Sequence, residues 1–215
     1  MMFFLTALPP YRATAQEVLR QFSYDNLGPT ALQADLGALG ASRLRGAVTG
    51  GLRLDYGLVA PRIRVLLGLS YYRAQFSSTE IARFESRLRD LVQDPEGNAT
   101  VDVGTIDWAD LTGDIDLQYV LPQGRSVTAY LGLGLSVHLR SASGPAIDGT
   151  FLEDALDDVA AGLNGTLGAE FVIGPVWRLT VDARGVLLSD HRTASLRGGV
   201  MYRWRERARG RSVRP

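Results

Sequence analysis

Residues 128 to 140 read TAYLGLGLSVHLR, and they alternate: Ala129, Leu131, Leu133, Leu135, Val137 and Leu139 fall on one parity, and Thr128, Tyr130, Gly132, Gly134, Ser136, His138 and Arg140 on the other. A two-residue period places these sets on opposite faces of a β-strand. The pattern returns about eight times along the chain, and in most copies the polar parity carries Arg or Asp while the apolar parity carries no charge. No stretch approaches the roughly 20 consecutive apolar residues of a transmembrane helix. Any membrane span in this chain is therefore built from strands.

The alternation predicts strands over about 28–40, 44–57, 62–76, 101–121, 125–140, 159–173, 176–189 and 193–205. Links after the second, fourth and sixth strands are short and carry turn residues, Val59-Ala60-Pro61, Pro122-Gln123-Gly124 and Gly174-Pro175. Links after the third and fifth run to about 24 and 18 residues. Up-and-down barrels of bacterial membranes alternate short periplasmic turns with long outer loops, so this parity places both termini on the periplasmic side. Tyr56, Tyr119, Phe171, Trp177, Tyr202 and Trp204 fall near the short-turn ends on the apolar parity, with Tyr71 and Trp108 toward the other rim, as interfacial aromatic belts require. Both long loops carry helical patterns. Ser77 and Glu80 form a capping box ahead of an Ile81, Phe84, Leu88, Leu91 stripe, and Thr150 and Glu153 repeat the box before Leu152, Ala155, Leu156 and Val159.

Alternation alone does not say which face points inward. A soluble lipocalin-like barrel with an oily cavity fits the period as well. Three features favour polar-in: Gly132, Gly134, Gly168 and Gly199 cluster on the polar parity, that parity is rich in Arg and Asp, and the apolar parity stays uncharged over about ten residues per strand, close to the length a tilted strand needs in a bilayer. The expected fold is all-β, an eight-stranded antiparallel up-and-down transmembrane β-barrel with two short helices in long extracellular loops. An interior of that size is filled by its own side chains. The expected lumen charge network comprises Arg45, Arg53, Asp55, Arg64, Asp114, Asp116, Glu170, Arg178, Asp182, Arg184 and Arg197, with Asp35, Arg140 and Arg203 on the same parity. Arginine suits it, since its planar fork pairs with crowded carboxylates. A solid ion-pair plug and a gated polar pathway are the two readings of such a lumen.

Composition removes several function classes. Cysteine is absent, which excludes disulfides, thiolate metal sites and cysteine nucleophiles. Basic and acidic residues balance at 23 each and every basic residue is Arg, so no overall field draws nucleic acid. With two His, a His-rich metal site is not expected, and neither is a cofactor. Residues 1–15 begin with a short apolar run and reach Ala13-Thr14-Ala15, an A-x-A pattern that reads as a truncated signal peptide. Residues 16–27 form a lead-in, 28–205 the barrel, and 206–215 an Arg-rich periplasmic tail.

The last strand reads Arg197-Gly198-Gly199-Val200-Met201-Tyr202-Arg203-Trp204. This resembles the assembly signal of outer-membrane barrels: a polar residue (Arg197), Gly in the third place (Gly199), an aromatic or hydrophobic residue in the sixth (Tyr202) and an aromatic in the eighth (Trp204). With the strand count and loop parity, residues 28–205 resemble the small outer-membrane barrel superfamily that includes the OmpA transmembrane domain, OmpX and OmpW. The resemblance implies a Gram-negative outer-membrane address, with membrane lipids, lipopolysaccharide and the barrel assembly machinery as partners.

Some barrels of this size are enzymes acting on lipid A, and that deacylase family uses His-x-Ser on a strand. Here His138 is followed by Leu139 and Arg140, with Ser141 one place too late. His138 falls on the inward parity as a polar packing residue, and His191 reads as solvated in the short loop Ser189-Asp190-His191-Arg192. Glu153, Asp154, Asp157 and Asp158 lack the spacing of a calcium loop and read as a solvated helix face. The leading functional expectation is a non-enzymatic structural or surface-interaction barrel with a charged, plugged lumen. A narrow channel, including OmpW-like lateral transport, and a lipid A-modifying envelope enzyme are the alternatives.

Overall fold

The computed structural model describes residues 22–24, 27–92, 104–145, 158–189 and 191–204. Eight antiparallel strands follow in chain order: β1 (Leu27–Ala41), β2 (Ala47–Ala60), β3 (Ile63–Gln75), β4 (Asp107–Gln123), β5 (Val127–Ser143), β6 (Asp158–Val172), β7 (Trp177–Leu187) and β8 (Arg192–Arg203). Each pairs with its sequence neighbours, and β8 closes on β1, so no edge is left open. The closing seam runs from Ala31 opposite Arg203 to Ala41 opposite Thr193.

The burial pattern follows the alternation. The apolar parity points outward and the polar parity inward; Leu133 is 72% exposed to the surroundings while Arg64, on the other parity, is 1% exposed. A water-soluble barrel would reverse this. An uncharged outward belt of Leu, Val and Ala loses free energy in water at roughly 25 cal/mol per Å² of apolar surface, and a bilayer removes that cost. Among the described residues charge reaches the outer surface at the two rims: Arg73 and Asp107 pair at 3.1 Å on the long-loop side, and Arg62 and Arg125 are exposed in the short turns. At the opposite rim Trp177, Tyr202 and Trp204 stack in series, with ring centroids 5.0 and 6.2 Å apart, and the Trp204 indole donates to the Pro29 carbonyl.

The inward glycines have a common reason. Asp35 faces Gly51 on one side and Gly199 on the other, Asp114 faces Gly68, Asp116 faces Gly134, Gln118 faces Gly132 and Arg197 faces Gly37. Large polar side chains thus lean over a neighbour that has no Cβ. A Cβ on Gly132 would come within 2.7 Å of the Gln118 Cγ, and one on Gly199 within 2.9 Å of the Thr180 hydroxyl.

One loop helix lies among the described residues, α1 (Ser78–Val92). The Ser77 hydroxyl accepts from the Glu80 amide at 3.4 Å, while the Glu80 carboxylate is taken up by Arg83 at 2.5 Å. Ile81 and Phe84 pack on a cluster at the barrel mouth formed by Leu39, Leu44, Tyr72, Ala74, Ile106, Trp108 and Ala142. The second expected helix, the proposed signal segment and the Arg-rich tail lie outside the described residues, as do Glu153, Asp154 and Asp157.

Several expectations are corrected at the mouth. The second strand begins at Ala47 rather than residue 44, and the fourth at Asp107, with residues 104–106 not in strand. Leu44 makes an isolated bridge to Phe76 and turns into the mouth cluster. Trp108 lies inward and buried rather than in an outer aromatic belt. Sequence alternation is lost where strands give way to loops, so parity counted past a strand end fails.

Candidate functional site: a charged lumen beneath a roofed mouth

The interior charges group into tiers. In the tier nearest the short turns, Arg64 donates to Gln118 Oε1 at 2.9 and 2.7 Å, to Asp55 at 3.4 Å, and to Glu170. Its guanidinium lies over the Tyr130 ring at 5.0 Å. Arg203 adds a second cation 3.6 Å from both Asp55 and Glu170.

At mid-height Asp182 is the hub. Arg53 reaches both of its oxygens at 3.3 Å, Arg197 donates to Oδ1 at 3.0 and 2.7 Å, and the Tyr130 hydroxyl donates at 3.3 Å. Asp35 lies 3.5 Å from Arg53 and 3.8 Å from Arg197. Strands β4 and β7, which are not neighbours, meet across the interior where Arg184 pairs with Asp114 at 3.0 Å and Asp116 at 3.3 Å. The Asn164 amide donates to Asp116.

Of the expected network, Arg53, Asp55, Arg64, Asp114, Asp116, Glu170, Asp182, Arg184 and Arg197 are all buried inside the barrel and brought into ion pairs. Two are not. Arg45 precedes β2 and is exposed at the outer rim, because the strand starts three residues later than its alternation suggests. Arg178 has the inward parity but sits next to the first residue of β7, half-buried at the short-turn rim, and forms no ion pair among the described residues. In the assembly-signal positions, Arg197 and Gly199 are lumen residues, whereas Tyr202 and Trp204 belong to the aromatic stack outside.

The interior also holds a group that pair-spacing arguments miss. His138 Nδ1 lies 3.1 Å from both oxygens of Asp110, and its Nε2 lies 2.9 Å from Ser136 Oγ. Thr112 donates to Asp110 at 2.7 Å and Tyr72 donates to it at 3.3 Å. The serine that reaches the ring is thus Ser136, two places before His138; Ser141 is exposed on the outer parity. The signal was available in the shared parity of Asp110, Thr112, Ser136 and His138, but only strand pairing brings Thr112 opposite His138. Ser136 and His138 are each 3% exposed.

Above this group, Arg140 spans the mouth: it pairs with Asp158, lies 3.3 Å from His191 Nδ1 and covers the Trp108 ring at 5.5 Å. His191 is buried and set edge-on to Trp108, not solvated. Higher still, between the mouth and α1, is a cavity of about 280 Å³ lined by Leu44, Phe76, Ile81, Phe84, Ile106 and Trp108 with Arg43, Glu80, Arg87 and His191. Ser136, His138 and Asp110 are not in its lining.

No family model and no curated protein matches the chain. Solved structures do. The Neisserial surface protein A (NspA) superposes with a TM-score of 0.56 at 16% identity, covering 81% of this chain and 96% of that one. Ail, the attachment invasion locus protein of Yersinia pestis, in complex with the heparin analogue sucrose octasulfate, gives 0.46 at 12%, with 82% and 99% covered. The N-terminal β-barrel domain of Pseudomonas aeruginosa OprF gives 0.43 at 14%, with 81% and 99% covered. The first of these establishes likeness of fold.

Proposed function

We propose that this chain, whose fold is that of the small eight-stranded outer-membrane β-barrels, is a non-enzymatic outer-membrane protein with periplasmic termini and a lumen closed by ion pairs, acting at the cell surface through its long loops. The observation that carries the reading is the lumen filling: among the described residues seven buried carboxylates, Asp35, Asp55, Asp110, Asp114, Asp116, Glu170 and Asp182, meet six buried guanidinium groups, Arg53, Arg64, Arg140, Arg184, Arg197 and Arg203, with His138 beside Asp110. Buried charges persist when they are paired and hydrogen-bonded. Several of these pairs cross the interior, so they tie opposite walls together and occupy the space that a solute would need.

The test is electrical. Protein refolded into planar bilayers should show no steady conductance, and on a gel it should migrate differently before and after boiling. A steady single-channel current would replace the closed barrel by the narrow-channel alternative. A soluble monomer that needs no detergent would remove the membrane assignment altogether.

The Ser136–His138–Asp110 alignment supports a second reading, an envelope hydrolase, because a serine, a base and an orienting acid within hydrogen-bond reach are what nucleophilic catalysis requires. Burial weighs against it: Ser136 is 3% exposed, and Arg140, Trp108 and His191 lie between it and the mouth. Read structurally, the group is a satisfied polar cluster in which each member supplies a partner that water cannot. Ser136→Ala should then cost about 1 kcal/mol of stability, and a fluorophosphonate probe should leave Ser136 of the folded barrel unmodified. Covalent labelling at Ser136, mapped by mass spectrometry, would reinstate the enzyme reading.

A further inference from the structure

The mouth cavity combines two features: an apolar lining that is not part of the outward belt, and two arginines with which no described carboxylate pairs. Leu44, Ile106 and Trp108 belong to the mouth cluster, and Ile81 and Phe84 of α1 pack against it, with Phe76 edge-on to Trp108 at 5.4 Å. On the polar side, the Glu80 carboxylate is already engaged by Arg83. Arg43 and Arg87 are exposed and line the cavity, and no described carboxylate pairs with either. Arg87 donates through Nε to the Arg83 carbonyl at 3.4 Å.

An apolar recess edged by two guanidinium groups selects a ligand with an alkyl chain and an anionic head. We propose that this cavity binds a free single-chain amphiphile carrying a carboxylate, of the size of a medium-chain fatty acid, with the chain among Leu44, Phe76, Phe84 and Trp108 and the head between Arg43 and Arg87. The volume of about 280 Å³ lies at the lower end of ligand cavities, about 300–1,000 Å³, which suits one short chain rather than a multi-chain lipid. Planar guanidinium forks match a carboxylate in bidentate fashion. Because no lining residue belongs to the lipid-facing belt, the ligand enters from the aqueous side above the barrel. The inference rests on the surface-interaction reading, since it requires this mouth to face the outside.

Binding should be measured by equilibrium dialysis of radiolabelled decanoate against the protein in lipid nanodiscs, with empty nanodiscs as the reference for partitioning into bilayer. We expect a saturable excess of one decanoate per protein. Affinity should rise by roughly fourfold per added methylene from hexanoate upward until the cavity is full. Decyltrimethylammonium, with the same chain and the opposite charge, should show no saturable excess. Arg43→Glu with Arg87→Glu should weaken decanoate binding at least about tenfold, as should Phe84→Asp; all three positions lie at the mouth or on α1, away from the lumen tiers.

Absence of a saturable excess overturns the proposal, and so does equal binding of the cation or undiminished binding by both variants. Competition from anionic phospholipid added to the disc would place a bilayer lipid in the cavity and overturn the free-ligand source. Gel migration and electrical silence of the same samples report on the barrel reading separately, so failure of the ligand and failure of the barrel are distinguishable.

Discussion

Replacing Asp182 by alanine should destabilise the folded barrel by about 3–5 kcal/mol, the range for breaking a buried ion pair by removing one partner. Asp182 accepts from Arg53, Arg197 and Tyr130 at once. Without it, two buried guanidinium groups are left with Asp35 at 3.5 and 3.8 Å as their shared neighbour. The charge does not simply vanish from the site, and water is poorly placed to compensate in an interior this full. Asp116→Ala should act in the same direction but less, because Arg184 keeps Asp114 at 3.0 Å. Leu117→Ala, outward and 48% exposed, should cost least, since lipid tails fill the space the side chain leaves. Reversible urea unfolding in lipid or detergent ranks the three. An Asp182→Ala barrel no less stable than Leu117→Ala would mean that the lumen is hydrated, and it should then also conduct.

The second large effect is expected at a residue with no side chain. A Cβ on Gly134 would overlap the Asp116 carboxylate and press on the Ile115 carbonyl and, at 2.9 Å, on the Asn164 amide. A carboxylate can turn aside only by giving up Arg184, and a strand carbonyl cannot move without disturbing the β4–β5 ladder. Gly134→Ala should therefore cost upward of about 3 kcal/mol, in the range of overpacking combined with a disturbed buried ion pair, and Gly134→Val should prevent assembly. Gly113 and Gly185 supply the control: they sit on the outward face with no atom within 4 Å of an added Cβ. Gly113→Ala and Gly185→Ala should be neutral or stabilising by about 0.4–1 kcal/mol, because alanine lowers the entropy of the unfolded chain. Equal yields of heat-modifiable barrel from all four variants would show that the interior is loosely packed.

The strand count, the antiparallel order and the inward or outward sense of most positions were legible in the sequence. They follow from a period of two, and a period is local: Leu131, Leu133 and Leu135 share a face whatever they pack against. The same locality explains the errors. At residues 44 and 45 the two-residue rhythm continues on paper while the chain has already left the strand, so Leu44 turned out to be a mouth residue and Arg45 an exposed one. His191 read as a loop residue and is instead buried under Arg140 and against Trp108.

What the sequence by itself determined is the architecture. Alternation with uncharged outward residues leaves few choices beyond a lipid-facing barrel, because each strand must hide one face from water and the other from lipid. The tertiary structure alone decided which charges pair. Arg53 and Asp182 are 129 positions apart and Arg64 and Glu170 are 106 apart; parity places all four in the lumen, yet only barrel closure, strand register and the lean of side chains over their glycine neighbours set their heights. Likewise, nothing in the order of residues places Ser136 against His138 and Asp110, or Ile81 and Phe84 over Trp108, since those contacts depend on the height at which each strand crosses the interior and on where the loop helix comes to rest.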